Sequence, residues 1–274
     1  MEELSSFVQT NYKSSNFATS FLFLNSTKKK ALSIFYNFAR YVDDIADSDI
    51  PHQQKIEKLI EIKEKIKEIY SKKENEKLKE IAYIIREFSL PSECFYELID
   101  GMLYDCGDVD ISSQQELEGY MYKVAGVVGI SVLKICGYSG KNLEEIARYT
   151  GYAVQLTNII RDFYEDYQKK RIYIPKEHRI KILKTEKINL YDLSKIKELL
   201  SFEKSIAQDY YKTSSRLIAK NREPSLFVSS LMKNIYYEVL EGLDFETIKK
   251  NHKISNYKKL KAIFNSLIEI YFGR

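Results

Sequence analysis

A chain of 274 residues, 44% hydrophobic and 30% charged, can bury a substantial core as one large domain or two small ones. Its 43 basic and 39 acidic residues leave a net charge of +4, too even for nucleic-acid binding but suited to an anionic substrate or loose contact with a membrane surface. Only 10 glycines, none before Gly101, and 4 prolines stand among many Lys, Glu, Ile and Leu, which predicts long helices and argues against a sheet.

Asn16 to Asp47 reads as one helix or two, broken near Leu24-Asn25-Ser26-Thr27, where Thr27 would cap the second. Ala31, Ile34, Phe35, Phe38, Val42 and Ile45 form its apolar face. Tyr36, Arg40, Asp43 and Asp47 make a neighbouring stripe at turn spacing. Ile50-Pro51-His52 ends the segment. From Gln53 to Glu87 the chain is rich in Lys and Glu, with Ile56, Leu59, Ile62, Ile66 and Ile69 at helical spacing. Two amphipathic helices on the outside of a bundle are expected there, broken around Ser71 to Asn75. The apolar stripe is too short for the sustained heptads of a coiled coil.

Pro91 opens the next helix, which runs towards Tyr104-Asp105-Cys106-Gly107. Glu116 to Gly137 then sets Ala125, Gly126 and Gly129 among Val124, Val127, Val128 and Ile130, small residues that let either a helix or a ligand come close. Neither Gly126-x-x-Gly129 nor Gly137-x-x-Gly140 makes a dinucleotide fingerprint, since no strand precedes either.

The stretch Gly151 to Pro175 carries the strongest chemical signal. Gly151, Gln155, Asn158, Asp162 and Asp166 fall along one side of a helix, with Val154, Ile159, Ile160 and Phe163 as apolar cover. An amide and two carboxylates lined up in this way must meet water or a cation, because burying them bare costs roughly several kcal/mol each. Oxygen ligands one turn apart suit a hard divalent ion such as magnesium, which leaves room for substrate phosphates. The alternative is a solvated face with Arg161–Glu165 and Glu165–Lys169 pairs. A second helix ending in Arg40, Asp43, Asp44 and Asp47 favours the cation: two such helices facing each other make a pocket fit for metal ions and a diphosphate.

After Pro175 comes a Lys-rich connection, then a helix from about Leu193 to Lys220. Pro224 starts another, carrying Ile235 to Leu240, and a basic stretch with Lys249, Lys250, Lys253 and Lys258 closes the bundle. No composition shift, internal repeat or low-complexity linker divides the chain, which is therefore read as a single domain over residues 1–274.

Cys94, Cys106 and Cys136 are odd in number and without close spacing, so neither a disulfide framework nor a zinc site is indicated. His52, His178 and His252 are scattered. Asn25-Ser26-Thr27 fits a glycosylation sequon, but no signal peptide precedes it, and a cytoplasmic, at most membrane-peripheral, protein is expected. No run approaches the roughly 20 apolar residues of a membrane span, and Ile263 to Arg274 is too short and polar for an anchor.

These motifs resemble those of the squalene/phytoene synthases, head-to-head prenyl transferases with an all-α isoprenoid synthase fold. The first aspartate motif of that family is matched by Asp43-Asp44-Ile45-Ala46-Asp47 after Tyr36-Asn37-Phe38-Ala39-Arg40. The second is matched by Gln155 to Asp166 with the trailing Arg171-Ile172-Tyr173-Ile174-Pro175. Tyr120 to Gly129 is similar to the family's tyrosine and VAGxVG segment, and the likeness runs from about Asn16 to about Leu260.

The resemblance implies Mg2+, or Mn2+ in its place, on Asp43, Asp47, Asn158, Asp162 and Asp166, with Arg40, Arg161, Tyr120 and Tyr236 at the reacting diphosphate. Substrate contacts are expected from Ser14, Asn16, Phe17, Phe21, Val124, Ala125, Val128, Gly129, Gln155 and Tyr173. The family usually has serines and a proline near the first of these; here no proline stands before Lys28, which weakens the assignment of Ser14 and Asn16. Phe21 is expected at the closed end of an apolar channel, where a ring leaves room for a C15 chain and obstructs a C20 one; otherwise it simply packs the core.

Two farnesyl diphosphates giving presqualene diphosphate and a C30 product is the favoured reaction, and two geranylgeranyl diphosphates giving phytoene the alternative. Only a reductive branch would use NADPH, for which no motif is present. A monomer or weak dimer is expected, touching membrane only peripherally for product release. A non-catalytic helical binding protein would have an eroded aspartate set, whereas both motifs are intact. Terpene cyclases and head-to-tail elongases lack the combination of DxxxD, VAGxVG and NxxRDxxED.

Overall fold

The computed structural model describes residues 18–71, 78–245 and 255–273, with only the backbone of Ala18 and Thr19. Ser14, Asn16, Phe17, Lys249, Lys250 and Lys253 therefore lie outside the described residues. The chain is all-α, as expected. Helix α1 (Ala18–Phe21) leads into α2 (Ser26–Asp47), whose cap is Asn25, not Thr27: its side chain accepts from the backbone N–H of Lys28. The apolar face read from the sequence is buried throughout, and Phe35 and Phe38 set their rings edge-on to Phe95 at 5.5 and 5.1 Å. Helices α3 (His52–Tyr70) and α4 (Lys79–Glu87) follow as two amphipathic helices, and α5 (Glu93–Asp105) starts just after Pro91.

A two-residue strand β1 (Val109–Asp110) precedes α6 (Gln114–Met121), capped by Ser113. A five-residue π-helical turn, Tyr122–Gly126, joins α6 to α7 (Val127–Cys136), which ends on Gly137 at a left-handed φ of 89°. Together these make one continuous helix, Gln114–Cys136, whose most apolar 18-residue stretch has a mean hydropathy of 1.3. By length and composition it meets the requirement for a membrane span, which the sequence reading found nowhere. It is packed instead as a core helix, with 56% of that stretch buried.

Helix α8 (Leu143–Gln168) is the axis of the fold, packing on the π turn, α7 and two later helices. Glycines permit the approach. A Cβ on Gly151 would lie 2.7 Å from the carbonyl carbon of Ala125, and one on Gly129 would lie 2.9 Å from the carbonyl oxygen of Ala147. After α8, Lys170 takes φ 58° and β2 (Arg171–Ile172) pairs in parallel with β1 in the register Val109↔Arg171. This small ladder is the part of the described chain that departs from helix against expectation. Helix α9 (Lys176–Leu183) occupies the stretch expected as a connection; buried His178 and Arg179 anchor it. Then come α10 (Leu193–Asn221), a 3-10 turn at Pro224–Leu226, α11 (Phe227–Glu241) and α12 (Asn256–Phe272).

Among the described residues two apolar clusters form the interior. One gathers Phe21 with α2 to α5 and α7, and the other gathers Tyr120, α8 and Tyr173 with α9 to α11. Val124, in the π turn, packs against both.

Candidate active site

The C-terminal ends of α2 and α8 carry the carboxylates, and the chain just after α8 ties them together. Arg171, in β2, donates from Nη1 to Asp47 Oδ1 at 2.6 Å and from Nη2 to the backbone oxygens of Asp105 at 2.8 Å and Ala46 at 3.3 Å. Lys169 Nζ donates to the other Asp47 oxygen at 3.2 Å and lies 3.6 Å from Glu165. The register of β2 on β1 holds Arg171 in place, since Val109 follows closely on Asp105.

Each acid of the first motif has a basic neighbour. Arg40 sits 3.2 Å from Asp43 and 3.0 Å from Asp44. On α8, Arg161 forks onto Asp162, Nε to Oδ1 at 2.8 Å and Nη2 to Oδ2 at 2.5 Å, rather than reaching Glu165 as a surface pair would. Tyr236 of α11, buried, also bonds Arg161 and lies near Tyr36. Asn158 donates weakly to Gln155 at 3.4 Å, while its own Oδ1 is buried and finds no hydrogen-bond partner among the described residues.

The electrostatics follow from this spacing. Burial pushes the Asp43 carboxyl up, Arg40 opposes it, and Asp47 and Asp44 add to it. Burial alone would raise Asp47 as well, but the bonds from Arg171 and Lys169 outweigh it and hold Asp47 below the usual carboxylate range. Asp166 is pushed up to about 7 by burial and by Asp162, against Arg171 and Lys169. It lines a small cavity with Ile159, Phe163, Tyr167, Arg171 and Tyr173.

A further acid, Asp105, was passed over in the sequence. Its two oxygens accept from Tyr173 (2.7 Å) and Tyr120 (2.9 Å), whose rings stack at 4.8 Å. Burial raises Asp105 to about 6 against those two bonds. Tyr120 and Tyr173, named separately from the sequence, are thus one unit with Asp105. The only sequence signal was an acid in a helix's last turn beside Tyr104.

Phe21 is buried in the cluster of α2 and α5, and Val128 packs against that same cluster. Gly129 presents its bare face to Ala147 of α8, and the backbone carbonyl of Ala125 lies against Gly151 of α8. Among the described residues no three acids or histidines gather into a ready-made ligand cluster. The residues nonetheless fit a divalent cation. Asn158 Oδ1 is an orphaned oxygen on the same face as Asp162, and Asp166 is crowded by a like charge that a cation would relieve.

The squalene/phytoene synthase family model matches residues 10–247 of this chain. A presqualene diphosphate synthase of Rhodopseudomonas palustris is 30% identical over 84% of this chain and 83% of its own length. A phytoene synthase of Mycobacterium tuberculosis is 30% identical over 81% and 74%. Among solved structures, a dehydrosqualene synthase in complex with ligand superposes with a TM-score of 0.79 at 23% identity, covering 97% of this chain and 94% of that one. The squalene synthase HpnC from Alicyclobacillus acidocaldarius gives 0.75 at 21%, covering 88% and 91%. At those identities the superpositions speak for the fold.

Proposed function

Since the chain belongs to the squalene/phytoene synthase family, we propose that it is a prenyl transferase joining two allylic prenyl diphosphates head to head, with release of diphosphate. The favoured substrate is farnesyl diphosphate and the product presqualene diphosphate, leading to a C30 chain. The relatives named presqualene diphosphate synthase support this choice. Two geranylgeranyl diphosphates are the second reading, favoured by the phytoene synthases of similar identity.

The observation that carries the proposal is the junction at Asp47, where Lys169 and Arg171 draw the two aspartate-bearing helix ends into one charged site. Arg40, Arg161, Arg171 and Lys169 rest on Asp43, Asp44, Asp162 and Asp47. A diphosphate offers those bases stronger acceptors in a fork geometry that arginine matches. As they turn to it, the carboxylates are freed for a cation. Asp43, Asp47, Asn158, Asp162 and Asp166 would hold magnesium. When bound, the ion supplies Lewis-acid neutralisation of the leaving diphosphate.

The chain's own residues account for the remainder. Arg161, braced by Tyr236, keeps fixed positive charge at the departing oxygens. The allylic C–O bond breaks, the double bond of the second substrate attacks the cation, and a proton is lost as the cyclopropane closes. Such a cation survives only where water is excluded, which the apolar cover of α8 and the side chains of Val124 and Val128 provide. Tyr120 and Tyr173, buried and locked by Asp105, would set polar groups beside that apolar space.

Incubation with labelled farnesyl or geranylgeranyl diphosphate, with and without magnesium, tests the proposal. A cyclopropylcarbinyl diphosphate formed from farnesyl diphosphate only with magnesium is expected. Farnesol alone, or an end-to-tail product, overturns it.

A further inference from the structure

Helix α12 presents Tyr257, Leu260, Phe264, Leu267 and Tyr271 along one face at alternating spacings of three and four. These side chains are 39% to 78% exposed, and Phe272 beside them is 67% exposed. A stripe of this size is not an accident of a helix too weakly apolar to be buried, because the opposite face is firmly seated. Ala262, Ser266, Glu269 and Ile270 are buried, and Glu269 accepts from both Lys233 and Ser230 of α11. The helix is thus fixed in rotation with its most apolar stripe outward, which marks an interaction surface.

The charge pattern selects the partner. Lys258, Lys259 and Lys261 crowd the first two turns; Lys261 pairs with the buried carboxylate of Glu238 on α11 at 2.5 Å, Lys258 donates to the Glu238 carbonyl at 3.3 Å, and the helix's one acid, Glu269, is buried. The outward side therefore offers aromatic and aliphatic groups bordered by lysine, and the acid beside them, Glu238, is only 6% exposed while its partner Lys261 is 50% exposed. Two copies packed through this face in parallel would bring their lysines together. Packed antiparallel, they would set lysines against an end with no acid to meet them. The area argues the same way. At about 200 Å² per large side chain the five stripe residues expose on the order of 600 Å², short of the ~800 Å² per partner of a standard protein interface. A basic border and an aromatic-rich apolar face are the combination that seats a helix at a lipid–water boundary.

We infer that this face of α12 docks on an anionic lipid bilayer, lying in the interface rather than crossing it. The inference stands on the surface of α12 and does not rest on the chemistry proposed above.

The chain contains no tryptophan, so Leu260→Trp places a lone reporter in the stripe of the full-length protein. With vesicles of phosphatidylglycerol and phosphatidylcholine, its emission should shift to the blue and be quenched by acyl-brominated lipid, and both effects should fade with added salt. Lys259→Ala in that background should weaken binding about fivefold, and Phe264→Glu by at least ~10-fold. Emission unchanged by vesicles overturns the inference. So does an already blue-shifted reporter in a monomer, which would mean the chain covers the stripe itself. A concentration-dependent dimer abolished by Phe264→Glu would assign the face to a second copy instead. Turnover of detergent-dispersed substrate by Leu260→Trp should equal wild type, so failure of lipid binding is separable from failure of the catalytic proposal.

Discussion

Replacing Arg171 with lysine isolates the junction between the two aspartate segments. The guanidinium is only 11% exposed and makes three bonds, to Asp47 Oδ1 and to the backbone oxygens of Asp105 and Ala46. Lysine keeps the charge opposite Asp47 but has no planar fork, so the two carbonyl bonds are lost. Bonds from a charged donor contribute about 1.5–3 kcal/mol each. The Ala46 bond is long, so about 2–4 kcal/mol is expected in total. At roughly 2–4 °C per kcal/mol that lowers the melting temperature by about 4–16 °C. The rate should suffer beyond the stability loss, by roughly 10–100-fold at saturating substrate, because the fork also orients positive charge at the leaving group. Thermal unfolding followed by circular dichroism, together with steady-state diphosphate release below the melting range, measures both. An Arg171→Lys variant with wild-type melting and wild-type turnover would refute the junction as the organising contact of the site.

Three further outcomes are expected. Lys233→Met leaves Glu269 buried without its cation and should cost about 3–5 kcal/mol in urea unfolding, whereas adding Glu269→Leu should recover most of it; a double variant as weak as the single one contradicts this. Asp166 has a folded pKa of about 7 against an ordinary value near 3.8, so between those limits the native state holds a proton that the unfolded chain has released. Stability of the metal-free protein should therefore fall as pH rises from about 4 towards about 7, and Asp166→Asn should flatten that part of the melting profile; an identical slope in the variant disproves the assignment. Phe21→Ala should gain turnover of geranylgeranyl diphosphate if the ring ends the channel. A variant that only loses about 3–5 kcal/mol of stability, as a buried phenylalanine would, assigns Phe21 to the core.

Much of this arrangement was legible in the sequence because it is local. The faces of α2 and α8 follow from spacing alone, and the apolar residues named on α2 are all buried. What escaped depends on contacts across the fold. Arg171 meets Asp47 from 124 positions away and the carbonyl of Asp105 from 66, distances at which no periodicity speaks. Asp105 itself looked like an ordinary acid at a helix end until two phenols closed over it. The π turn at Tyr122–Gly126 has no local signature either. The glycines around it were open to two readings, and for Gly129 and Gly151 the close approach of α7 and the π turn to α8 accounts for them. Asn25 rather than Thr27 caps α2 because its oxygen accepts from the Lys28 N–H, a matter of two residues of register. Helix α9 was read as connection because its sequence is mostly basic; two buried polar residues, His178 on Glu203 and Arg179 on Asp110, hold it in place of an apolar face.

The central claim is that the aspartate sets of α2 and α8 act together on the diphosphate of an allylic substrate. Single-turnover incubation of labelled farnesyl diphosphate with wild type, Asp43→Asn and Asp162→Asn in magnesium tests it most directly, with circular dichroism to show that each variant folds. Presqualene diphosphate from the wild type, and neither condensation nor diphosphate release from either folded variant, is the predicted result. Condensation at the wild-type rate by either variant would contradict it.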